Sequence, residues 1–150
     1  MRFISTPEKE NNVLKHSGST LLSLDLNDDN VRDLIVGDIL YNNLIALTND
    51  DKGVNMNTSF VSKDTLFPSN TVSVEIKEFP GCFYEDVDND NVKDLIVSPN
   101  TDNETENAES VWLYKNFGTN SLPLFGHIKN DFIQDEMIEK GRSAFPVLFD

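Results

Sequence analysis

Asp25-Leu26-Asn27-Asp28-Asp29-Asn30-Val31-Arg32-Asp33, running directly into Leu34-Ile35-Val36, decides the fold because the chain carries it twice. It returns as Asp86-Val87-Asp88-Asn89-Asp90-Asn91-Val92-Lys93-Asp94, again followed by an apolar triplet, Leu95-Ile96-Val97. Oxygen-bearing side chains at the first, third, fifth and ninth places of a tight loop suit a hard cation such as calcium, which takes roughly six to eight oxygens. A long segment repeated at this separation also marks a chain built from similar stacked units. In the first loop the expected ligands are the side chains of Asp25, Asn27 and Asp29, the backbone carbonyl of Val31 and the carboxylate of Asp33. In the second they are Asp86, Asp88, Asp90, the carbonyl of Val92, and Asp94. All are protein oxygens in a flexible loop, which favours calcium over magnesium.

The first five places also fit an EF-hand, which needs a bidentate Glu at the twelfth place and flanking helices. The twelfth residue is Val36 in one copy and Val97 in the other, inside strand-like segments, so the EF-hand fails. The sixth place is Asn in both copies, Asn30 and Asn91. After Gly, Asn is the residue that most readily adopts the left-handed backbone a sharp turn requires. So many carboxylates in one loop repel one another without a cation between them.

Around the loops the pattern is β throughout, with short alternating or continuous apolar runs and no sustained helical period. In the first unit Leu22 and Leu24, Leu34 to Val36, Leu44 to Leu47, and the alternating Val72, Val74 and Ile76 predict strands. In the second, the corresponding pieces are Cys82 to Tyr84, Leu95 to Val97, Val111 to Tyr114, and Phe125 to Ile133. Ile45-Ala46-Leu47-Thr48-Asn49 aligns with Trp112-Leu113-Tyr114-Lys115-Asn116, each before a glycine-containing turn at Gly53 and Gly118. Phe60 and Phe67 frame one mixed stretch as Phe125 and Phe132 frame another. The polar stretch Pro99 to Asn107 reads as a long loop, and Asp131 to Arg142 as the place for a short helical turn. Pro146-Val147-Leu148-Phe149-Asp150 resembles the start of a third unit. The expected organisation is therefore a lead over 1–17, one unit over 18–80, a second over 81–144, and a truncated third over 145–150. Four short strands per unit match a β-propeller blade. The expected fold is all-β: about two four-stranded blades and the beginning of a third, cut from a larger propeller.

Net charge is −14, from 26 acidic against 12 basic residues. That balance repels nucleic acid and anionic membrane surfaces and suits a cation binder. No apolar run is long enough to span a bilayer, and the first residues lack the apolar core of a signal peptide. Cys82 is the only cysteine, so no internal disulfide forms. Asn57-Thr58-Ser59 and Asn103-Glu104-Thr105 match the glycosylation sequon, a match that arises easily in an Asn-rich chain.

The two loops resemble the FG-GAP/VCBS repeat family, whose calcium loop D-x-[DN]-x-D-G-x-x-D precedes an apolar strand and also occurs in integrin α-subunit propellers. The departure is Asn30 and Asn91 where that family has Gly. Val111 to Thr119, with Pro123 and Phe125, is similar to the LYxNxGTxxxPxF segment of repeats in secreted Bacteroidota proteins, and Phe79-Pro80 and Ser98-Pro99-Asn100 strengthen the likeness. The resemblance covers about residues 18 to 150. It implies a secreted or cell-surface calcium-loop propeller and leaves the ligand open.

Two function classes follow. The first is a non-enzymatic module with structural calcium at two sites, and a third beginning at Asp150, serving adhesion or the binding of a glycan or protein. The second is an accessory or catalytic fragment of a secreted polysaccharide-degrading enzyme. His16 and His127 are the only histidines, and neither has a Ser or Cys neighbour in a nucleophile context; both read as surface residues. Trp112 and Tyr114 suit either a sugar-stacking platform or, preferably, blade packing. Cys82 reads as a small core residue. Two blades leave apolar faces and outer strands unpaired, which predicts association between copies.

Overall fold

The computed structural model describes residues 18–50, 59–77, 79–101 and 108–137. The lead with His16, the turn at Gly53, the middle of the polar loop, and the third unit with Asp150 lie outside the described residues. Within them the fold is all-β, with eight strands and no helix. Strands β1 (Ser19–Leu24), β2 (Asp33–Asp38), β3 (Leu44–Asn49) and β4 (Phe60–Phe67) form one antiparallel sheet in sequence order. Strands β5 (Pro80–Glu85), β6 (Asp94–Pro99), β7 (Trp112–Asn116) and β8 (Phe125–Lys129) form a second sheet of the same topology. Each acidic stretch is the β-hairpin connection between the first two strands of its sheet. Leu24 pairs with Asp33 at the base of one, and Glu85 with Asp94 at the base of the other.

Alternation explains the inner strands. Along β2, Asp33, Ile35 and Gly37 are buried while Leu34, Val36 and Asp38 are half-buried, as expected of a strand covered on both faces. Buried residues of both sheets and of the segment after β4 form one core: Leu24, Ile35, Leu44, Ala46, Phe67, Val74, Ile76, Leu95, Val97, Tyr114 and Phe125. Phe125 joins the sheets edge-to-face, its ring centroid 5.9 Å from that of Phe67 and 6.1 Å from that of Tyr84.

The fourth strand of the first sheet is Phe60–Phe67, not the expected Val72 to Ile76. Strand β4 takes the free edge of β3, pairing Leu44 with Phe67 and Asn49 with Phe60. It is mostly exposed, so it carries little apolar alternation to read. The alternation at Val72 to Ile76 has another origin. Val74 and Ile76 are buried and Val72 is exposed, and the Ile76 N–H donates to the Asn42 carbonyl at 2.8 Å. That segment is extended chain pinned onto the core outside the ladder. In the second sheet the last strand stops at Lys129 rather than Ile133. The chain then turns, with the N–H groups of Gln134 and Asp135 both donating to the Asp131 carbonyl, at 2.8 and 3.0 Å. The helical turn expected from Asp131 is a tight turn as far as Met137, where the described residues end.

The sheets meet along β1, β2 and β5. The Thr20 hydroxyl donates to the Pro80 carbonyl oxygen at 2.7 Å. Gly37 faces the same carbonyl so closely that a Cβ there would lie 1.9 Å from the oxygen. The first acidic loop also reaches the second sheet, since the Asp28 N–H donates to the Ser121 carbonyl at 2.8 Å and the Ser121 hydroxyl to Asp28 Oδ1 at 2.6 Å. Among the described residues no helix is long and apolar enough to cross a membrane.

Candidate metal centre

Both loops are wound around their own aspartates in the same way. The carboxylate at the first place gathers backbone N–H groups: Asp25 accepts from Asn27 and Asp28 on Oδ1 and from Asn30 on Oδ2. Asp86 accepts from Asp90 on Oδ1 and from Asn91 on Oδ2. At the fifth place Asp29 and Asp90 each accept the N–H two residues on, from Val31 and Val92, at 2.8 Å. At the ninth place Asp33 and Asp94 are buried and accept the N–H of Asn49 and Asn116, each at 2.8 Å. Asn30 and Asn91 have φ of 65° and 69°, the left-handed turn expected at the sixth place. The fourth place is left-handed as well, with Asp28 at 61° and Asn89 at 63°. Sequence reading missed that second turn, although Asp and Asn are the residues that tolerate it.

The loops differ in what they do with the remaining oxygens. In the second loop, ligand atoms of Asp86, Asp88 and Asp94 all lie within 4.8 Å of one another. Among the described residues this is the one group of three or more acidic, His or Cys side chains that converges so. Asp94 is fully buried, and its Oδ2 has no hydrogen-bond partner. In the first loop the equivalent Asp33 Oδ2 accepts the Leu26 N–H at 2.8 Å. There Asn27 bonds within the loop, its Nδ2 donating to Asp29 Oδ2 and its Oδ1 accepting the Asp29 N–H. The first loop carries Asn27 where the second has Asp88, so its equivalent set holds one carboxylate fewer. Val31 and Val92 sit half-buried in their loops.

Lys115 was not among the expected site residues, yet its ammonium lies in the second loop. Nζ is 2.7 Å from Asp88 Oδ2, 2.7 Å from Asp90 Oδ2 and 3.5 Å from Asp94 Oδ1. Hydrogen bonds to Asp88 and Asp90 push the Lys115 pKa up. The hydrogen bond from Lys115, then that from the Val92 N–H, holds the Asp90 carboxyl below its ordinary value. The available signal was a basic residue on a strand aligned with Thr48 of the first unit.

The residues of the second loop fit a metal. A buried carboxylate oxygen without a partner is costly, and a donor set made only of oxygen selects a hard cation. A metal-holding acidic cluster is therefore what this geometry supports.

The other candidate residues have structural surroundings. Tyr114 is buried in the core, where burial pushes its hydroxyl pKa up. Trp112 is half-buried and donates its indole N–H to the Glu109 carbonyl at 3.1 Å. His127, expected at the surface, is half-buried with its ring 5.5 Å from that of Trp112 and 5.3 Å from that of Tyr114. Cys82 packs against the core, and burial pushes its thiol up to about 12. An open cleft of about 860 Å³ lies between the sheets, with Asp25, Arg32, Tyr84 and Lys93 on its walls. No protein-family model, curated protein or solved structure matches the chain.

Proposed function

We propose that this chain is a calcium-binding repeat module of FG-GAP/VCBS type, consisting of propeller blades of a secreted or cell-surface protein that serves adhesion or binds a glycan or protein. The observation that carries the reading is the convergence of Asp86, Asp88 and Asp94 around a buried Asp94 oxygen that has no partner. Calcium acts structurally. An ion bound only by the folded hairpin stabilises it in proportion to occupancy. It locks the turn between the first two strands of a sheet and, through Asp94 and Asn116, the third strand as well. The repeated topology supports the blade reading, since propeller blades are four-stranded antiparallel sheets.

The exposed apolar side chains of Phe60 and Val61 on edge strand β4 and Ile128 on edge strand β8 suit contact with further blades or a second copy. The net charge of −14 keeps nucleic acid off the list of ligands. The polysaccharide-degrading alternative is tested by turnover on a polysaccharide panel, where the module is expected to release no sugar.

Calorimetric titration of chelator-treated protein with calcium tests the metal reading. Saturable binding is expected in or below the 10⁻⁴–10⁻³ M range typical of extracellular calcium modules, weakened by Asp88→Asn. Absence of binding at those concentrations contradicts it.

A further inference from the structure

Thr48 and Lys115 hold the same place in the two sheets. Each directly precedes the asparagine, Asn49 or Asn116, whose backbone N–H donates at 2.8 Å to the aspartate that closes the loop. The two loops are near copies, yet at this place one sheet presents a short neutral hydroxyl and the other a long cation. The Lys115 ammonium contacts Asp88 and Asp90 at 2.7 Å and Asp94 at 3.5 Å. Asp88 and Asp94 are two of the three carboxylates that converge with Asp86.

An ammonium and a divalent ion cannot share these oxygens at contact distance. At such separations the repulsion between like charges is of the same order as the attraction each feels for one carboxylate. Asp94 Oδ2 has no partner even with Lys115 in place. The ammonium therefore satisfies the ring only in part, and one buried oxygen is left for an ion. Lys115 also has somewhere to go, since a lysine stem is flexible and its head is readily solvated.

We propose that Lys115 is a tethered counter-ion of the second loop: its ammonium holds the acidic ring when no metal is bound, and a divalent cation enters by expelling it. Two loops of nearly one sequence are thereby set to different cation thresholds, the second raised by its own lysine. This rests on the calcium reading above and goes beyond it by naming what regulates the site.

The test compares the parent, Lys115→Thr, which reproduces the first sheet, and Lys115→Met, which keeps the stem without the charge. Each is titrated with calcium by calorimetry and melted in chelator and in calcium. Both variants are expected to bind calcium at the second loop about tenfold or more tightly, the ratio that follows from removing two partly exposed ion pairs and a longer one to buried Asp94. Adding Asp88→Asn should abolish that gain, which assigns it to this loop. Both variants should melt below the parent in chelator and recover relative to it in calcium. A purely structural lysine would lower melting equally in both buffers and leave affinity unchanged. Parent-like affinity in both variants, with calcium still bound, overturns the competition and leaves the calcium reading standing. No calcium binding by any of the three proteins overturns both.

Discussion

The backbone N–H of Asn116 donates to Oδ1 of Asp94 at 2.8 Å, and Asn49 donates to Asp33 in the same way in the other sheet. A side chain that opens the second strand thus fastens the end of the third, so each acidic loop is tied to three strands. Removing either carboxylate strands a buried N–H, at a cost of about 1–3 kcal/mol. Asp94→Ala is expected to lower stability by that amount in urea unfolding in chelator, and Asp33→Ala by more, because Asp33 Oδ2 also accepts the Leu26 N–H. A change well under that range would show that water replaces the contact.

The sixth place of the loops tests backbone strain. Asn91 has φ 69°, and its hydrogen bonds run through its backbone, the N–H donating to Asp86 Oδ2 and the carbonyl accepting from Asn120 Nδ2. Asn91→Gly should therefore be neutral to stabilising, and more stable than Asn91→Ala by about 1–2 kcal/mol, the penalty a Cβ pays in the left-handed region. Equal melting temperatures for the two variants would contradict this account of the turn.

The junction of the sheets rests on Gly37. A methyl there would meet the Pro80 carbonyl, a backbone atom that cannot turn aside, 1.9 Å from its oxygen. Gly37→Ala is expected to destabilise by about 1–3 kcal/mol, the usual penalty of overpacking. Gly126→Ala is the control: its methyl meets only the ring of Phe117, which is 66% exposed and free to move. Equal losses at the two positions would show that the junction is less tightly set than Gly37 implies.

The pair Lys115 and Asp90 fixes the sign of a pH dependence. Asp90 is held below 3.8, so its contribution is present above that pH and is lost as pH falls through the lowered value. Lys115 is raised above 10.5, so its contribution is present below that pH and is lost as pH rises through the raised value. In chelator the pair therefore adds no pH dependence between these limits. Urea midpoints of parent and Lys115→Met should differ by a constant amount from about pH 5 to about pH 9 and converge on strong acidification. A difference that changes near neutrality would place the dependence on another group.

The loops were legible because chemistry and turn geometry constrain nearly every position in them. Asp at the first, fifth and ninth places winds the backbone, and Asn30 and Asn91 carry the left-handed turn. The inner strands were legible from Leu34 to Val36 and Leu95 to Val97, which are covered on both faces. Strand β4 was not, because an exposed edge strand places no demand on apolar alternation. Val72 to Ile76 misled for the converse reason: Val74 and Ile76 alternate with exposed residues on the core without pairing in a sheet. The role of Lys115 was illegible from spacing, since its ammonium meets the loop across the sheet, far from it in sequence. Alignment of Asn116 with Asn49 was the one clue, and it placed the backbone without revealing the side chain.

Calcium dependence of thermal melting is the direct measure. Protein loaded with calcium and then given excess chelator is expected to melt at a clearly lower temperature, with the difference restored by returning calcium and reduced by Asp88→Asn. Linkage gives the scale: calcium at about a hundred times its dissociation constant adds about 2.7 kcal/mol. A melting temperature unchanged by chelator in the calcium-loaded protein would contradict a structural calcium in these loops.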